Sequence, residues 1–154
     1  MNYILILIGV FLMAPAFVNG QPQDELDTNQ AKWDSFISGN NSYVMTLKRR
    51  CFCKPDYWGP FLIVVNSAGD VASATYLEES EHPGKNLNET ERDDLNLMTV
   101  QDGFDTIQRA IDEDAYDLDV TYDPVGGYPS KVSIDWGGRR DSSTHFQIEN
   151  VVPL

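Results

Sequence analysis

The chain has 154 residues, with 11 Lys and Arg against 24 Asp and Glu, so its formal net charge is −13 at pH 7. Such a surface repels phosphate backbones, which excludes nucleic acid as a partner, because binding it requires cations that displace counterions. The length and a 42% hydrophobic fraction suit one folded domain with its own core.

Ile4 to Val18 form a nearly unbroken apolar run, too short to span a bilayer comfortably and placed where a secretory h-region belongs. We expect residues 1–20 to be a signal peptide cut after Gly20, with Ala16 as the alternative site. The only positive charge ahead of the run is the amino terminus, so an uncleaved apolar anchor is the competing reading. No cysteine near the run could carry a lipid, so the expected product is secreted, extracellular and without a stable membrane anchor. Residues 1–20 contain no charged side chain, so the mature chain retains the whole acidic excess. Residues 21–29 read as a polar N-terminal tail, and residues 30–154 as a single α+β domain.

Trp33, Phe36 and Ile37 have helical spacing, with Asp27, Thr28 or Asn29 available as caps and Gly39 as a stop. Ser42 to Cys53 alternates as a strand, with Tyr43, Met45, Leu47, Cys51 and Cys53 on one face and Thr46, Lys48 and Arg50 on the other. Arg49 falls on the apolar face, which predicts a bulge nearby or an edge position. After the PDYWGP turn, FLIVVN and VASATYL complete a first antiparallel meander, and Glu78 to Asn96 reads as loop. Thr99 and Asp102 suit a capping box before a helix whose apolar stripe is Val100, Phe104, Ile107 and Ile111. YDLDVTYD, SKVSIDW and THFQIENVV give three more strands, the first two joined by the DPVGGYP turn. The resulting order, α-βββ-α-βββ, predicts an antiparallel sheet of about six strands in two meanders, with two helices packed on one face.

Trp33, Tyr43, the CFC at Cys51 to Cys53, Gly59–Pro60, TVQDGFDTIQRAI and VTYDPVGGYPSKVSID together resemble a family of secreted proteins and lipoproteins known only as a domain of unknown function (DUF6174-like). The most specific part is YDPxxGYPxxxxID, carried by Tyr122, Asp123, Pro124, Gly127, Tyr128, Pro129 and Asp135, combined with the upstream CFC. The resemblance covers most of the mature chain and implies a fold, not an activity. Many bacterial members look like lipoproteins, whereas this chain has no lipobox cysteine, so anchorage is not carried over.

Cys51 and Cys53 are the only cysteines, and export favours pairing them. In an extended strand, residues i and i+2 lie about 6.6 Å apart, whereas a disulfide needs Cβ atoms about 3.8 Å apart, so a bridge requires a bend at Phe52. Free thiols, redox use and metal binding remain the alternatives. Lys48, Arg49, Arg50 and Lys54 surround the pair and would favour a thiolate, although no thioredoxin-like CxxC is present.

His82 and His145 have no zinc-ligand spacing, and Asp117, Asp119, Asp123 and Asp135 match no calcium loop. No metal or other cofactor is expected. No nucleophile elbow, dinucleotide fingerprint or phosphate loop is present to support the commonest catalytic classes. Asn40 and Asn88 begin glycosylation sequons. Tyr57, Trp58, Tyr128 and Trp136 sit in or beside turns, where aromatic rings anchor a protein or glycan partner or fold back over the core. The function expected is therefore a non-catalytic extracellular binding or interaction module. The alternative is a thiol- or disulfide-active protein using Cys51 and Cys53.

Overall fold

The computed structural model describes residues 22–39, 41–137 and 142–154. The expected signal peptide and Asn40 lie outside them. Helix α1 (Pro22–Phe36) leads into strand β1 (Tyr43–Arg50), and a short 3-10 turn (Pro55–Tyr57) precedes β2 (Phe61–Val65) and β3 (Val71–Tyr76). Helices α2 (Glu89–Asp94) and α3 (Val100–Asp112) then lead to β4 (Asp117–Tyr122), β5 (Pro129–Asp135) and β6 (Ser143–Pro153).

All six strands form one antiparallel sheet in the order β3-β2-β1-β6-β5-β4. Each expected meander is a contiguous half of it, and β1 against β6 is the seam. The bulge anticipated near Arg49 lies earlier, where the β1–β6 register shifts between Val44 and Thr46.

Alternation gives the sheet one apolar face. Met45, Leu47, Phe61, Ile63, Val65, Ile134 and Ile148 are wholly buried there. Val100, Phe104, Ile107 and Ala110 of α3 and Leu26 and Trp33 of α1 close the core. Gly103 brings α3 close to the sheet, since a methyl group there would stand 3.2 Å from the Pro129 ring and 3.4 Å from Phe146. Helix α3 starts at Thr99, whose hydroxyl accepts from the Asp102 amide while the Asp102 carboxylate accepts from the Thr99 amide. The Tyr43 hydroxyl accepts from the next free amide, that of Val100, at 3.0 Å.

Two expectations about the helices need correction. Residues 21–29 are not a polar tail, because α1 begins at Pro22 and the residues expected to cap it are interior. Leu26 lies two turns before Trp33 on the buried side, and Gln23 exchanges reciprocal 2.8 Å side-chain bonds with Gln108 of α3. The Glu78–Asn96 loop contains α2, nucleated by a capping box between Asn88 and Glu91 that is legible as an N-x-x-E signature.

The β4–β5 turn locks α1 in place. Gly127 has a φ of +72°, and an added Cβ would collide with the Asn29 carbonyl and stand 2.6 Å from the Lys32 Cβ. Gly84 has a similar φ of +74° but open space around it. Gly84→Ala should therefore lose only the left-handed backbone cost, about 1–3 kcal/mol. Gly127→Ala should lose more and detach α1, which thermal melts and Trp33 fluorescence would report; equal losses at the two sites would contradict the lock.

Burial, the largest influence on each, raises the Tyr43, Tyr122 and Tyr128 phenols above their usual value of 10.0. A raised folded-state value holds these groups neutral, so their contribution is fully present below pH 10 and is lost as pH rises past it. Melting temperature should fall above pH 10 together with phenolate absorbance, and titration of all tyrosines in the fully folded protein would contradict this.

Candidate functional site

Among the described residues, the helices cover one side of the sheet and leave the other open. Cross-strand register builds two rows on the open face: Arg50, His145, Ser133 and Asp119, and beside it Lys48, Gln147, Lys131 and Thr121. These residues come from β1, β4, β5 and β6, so only sheet assembly brings them together. They line much of a shallow groove of about 560 Å³. Lys48 is held by Glu149 at 3.2 Å. Arg50 and Lys131 are exposed and have no ion pair among the described residues.

Toward β2 the same face turns aliphatic. Val44 lies opposite both Val64 and Val152, and Leu62 opposite Thr46. Leu62 is 37% and Val152 55% exposed. Among the described residues, no Trp, Tyr or Phe projects from the strands on this face.

A second groove, about 620 Å³, lies where α3 meets the ends of β1 and β6 and includes Arg49, Asp102, Asp105 and Arg109. Arg49 faces the core side and acts structurally. Its Nε donates to the Tyr57 carbonyl, and one Nη donates to the carbonyls of Leu95 and Asn96 just past α2, all at 3.0 Å. Burial lowers its pKa, against the pull of Tyr57 and Tyr76. The misfit cation on an apolar face was the sequence signal for this role.

The cysteines are not on a strand, which corrects the expectation that β1 runs to Cys53. β1 ends at Arg50 and the chain bends at Phe52 and Cys53. The bend places the Cys51 and Cys53 Cα atoms 5.2 Å apart with their sulfurs in contact. Phe52 between them is 96% exposed, and Trp58 Nε1 donates to the Cys51 carbonyl at 3.3 Å.

The Tyr122–Asp135 motif is architectural. Asp123 Oδ1 accepts from the amides of Val125 and Gly126, at 3.0 and 2.6 Å. Tyr122 stacks on Phe104, and Tyr128 is buried edge-on to Trp33. Pro124 lies exposed in the turn, buried Pro129 starts β5, and Asp135 Oδ1 accepts from the Gly137 amide. The other turn aromatics divide, with Trp136 under Arg109 at 4.7 Å and Trp58 partly exposed.

Asp117 lies opposite Asp135 in the ladder, whereas Asp123 is at the far end of that hairpin. His82 pairs with Asp56 at 3.1 Å, remote from His145 in the sheet. Among the described residues no three His, Cys, Asp or Glu side chains are grouped to hold a metal ion. Asn88 is exposed, and its side-chain oxygen caps α2.

The open face thus offers ammonium, guanidinium, imidazole and amide donors, with the Asp119 carboxylate, on the same side of the sheet as aliphatic surface. No curated protein and no solved structure matches the chain. The model of the Family of unknown function (DUF6174) matches residues 25–153, from within α1 to the end of β6. With almost every element described above inside that match, the chain belongs to the family of unknown function DUF6174.

Proposed function

We propose that this protein is an exported, non-catalytic binding module that engages its partner through the open face of the sheet. The observation that carries this reading is the asymmetry of the sheet. One face is sealed by α1 and α3, while the other leaves Arg50, Lys131, Leu62 and Val152 in solvent. Antiparallel sheets tolerate one wet face, but exposed aliphatic side chains on the same face as unpaired cations are a composition that a partner covers favourably. The apolar run Ile4–Val18 supports export.

Ligands selected by peptide display on the mature protein should protect amides of β1, β5 and β6 from hydrogen exchange. They should also lose binding when Arg50 and Val152 are both replaced by Asp. A selection that returns only ligands protecting α1 and α3 would count against the open face.

We further propose that Cys51 and Cys53 form a disulfide. A second reading, thiol exchange, is favoured by its setting in a partly exposed bend between Arg50 and Lys54. A partner thiolate would attack one sulfur and release the other as thiolate. A second partner thiolate would then attack the partner sulfur of the mixed disulfide and release the second cysteine as thiolate, so two electrons pass from two partner thiols, now joined as a disulfide, to the Cys51 and Cys53 pair. Intact mass of the exported protein should show a chain starting at Gln21, or at Phe17 for the alternative cleavage, about 2 Da lighter than its reduced form. Free alkylation of both thiols would remove the bridge. Catalysed thiol exchange abolished in Cys53→Ser would move the second reading ahead of the first.

A further inference from the structure

We infer that the partner of the open face is an extended acidic segment of another protein, whose sheet-facing side carries carboxylates followed by aliphatic side chains; this rests on the binding-face reading above. The argument begins with where cations sit on a chain whose net charge is −13. Lys48 and Arg50 are two residues apart on β1, so they project on one side about 7 Å apart. Lys131 lies opposite Gln147, the residue that also faces Lys48, which puts it two strands away, roughly 10 Å across the sheet. His145 faces Arg50 in the adjacent row. Two of these cations, Arg50 and Lys131, have no carboxylate partner among the described residues, so an incoming carboxylate displaces no existing pair at either.

The rest of the face narrows the class. Asp119 on the edge strand β4 and Glu149, opposite Thr46 between the cationic and aliphatic rows, repel a uniform polyanion. The strands present no Trp, Tyr or Phe on which a sugar ring or base could stack. Val44, Leu62, Val64 and Val152 continue the contact surface beside the cations. An extended acidic segment supplies both complements, because every second side chain points to the sheet, so carboxylates followed by aliphatic groups on that side meet the Arg50 and Lys48 rows and then the Leu62 and Val152 rows.

The test uses the mature protein and a short labelled Glu–Val peptide in which every second residue runs Glu, Glu, Val, Val, with its Gln–Val and Lys–Val counterparts, a sulfated polysaccharide and anionic vesicles as comparators. The Glu–Val peptide should bind, weaken as salt rises from about 0.03 M to about 0.3 M, and weaken by about tenfold or more in Arg50→Glu with Lys131→Glu. Lys85→Glu, away from this face and paired with Glu91 at 2.6 Å, should bind as the parent does. No binding of the Glu–Val peptide, or binding indifferent to the double charge reversal, would overturn the inference. So would tighter binding of the polysaccharide or vesicles, or self-association that the double variant abolishes, which would make a second copy the occupant. Equal binding of the Gln–Val peptide, lost only in Leu62→Lys with Val152→Lys, would overturn the acidic partner yet leave the binding face standing. Failure of every probe, with no protection of the face by selected ligands, would overturn both.

Discussion

Tyr43 to Arg50 pairs with His145 to Pro153 along its whole length, and this seam joins two three-stranded meanders into one sheet. Joined, the two supply a continuous apolar surface that α3 can cover from Val100 to Ala110 while α1 packs alongside it. The same seam aligns Arg50 with His145 and Lys48 with Gln147, so the pairing that completes the core also composes the opposite face. In an antiparallel sheet these are one event, because the side-chain period of two sends each neighbour to the other side.

Around the seam, buried polar groups orient the elements. Tyr43 reaches from β1 to the first turn of α3, and Arg49 reaches from the far end of the same strand to the carbonyls past α2. Both satisfy backbone groups that a helix end leaves without an internal partner. Strand β1 therefore fixes the sheet order and also the positions of two helices. The β4–β5 turn does the same for α1, through Gly127 beneath the Asn29 carbonyl and Tyr128 against Trp33.

The CFC bend follows from this arrangement. Arg49 is the last residue of β1 drawn into the interior, and after Arg50 the chain leaves the sheet, so both cysteines fall in a loop near the open face's cationic end. A bridge there closes only a small loop and restricts the unfolded chain less than a long-range one. The contribution of the proposed bridge would be local, confined to the turn that carries Phe52 and the residues leading to Trp58.

Much of this was legible in the chain itself. Alternation in FLIVVN and SKVSIDW, the Thr99–Asp102 cap and the DPVGGYP turn each encode structure within a few residues, which is why six strands and α3 were readable in order. Helix α1 was legible only in part, because a polar stretch with one leucine acquires its partner from Trp33's setting and from Gln108, 85 positions away from Gln23. The motif residues Tyr122 to Asp135 could be picked out by pattern, but their architectural role depends on α1 packing against them. Only the β1 half of the cationic patch, Lys48 and Arg50 on one face, was legible, since Lys131 and His145 look like ordinary solvated positions on other strands. The sequence by itself determined periodicity, caps and turns, all local in range; tertiary structure alone decided the seam and which residues it aligned, because register is set by the burial of all six strands together.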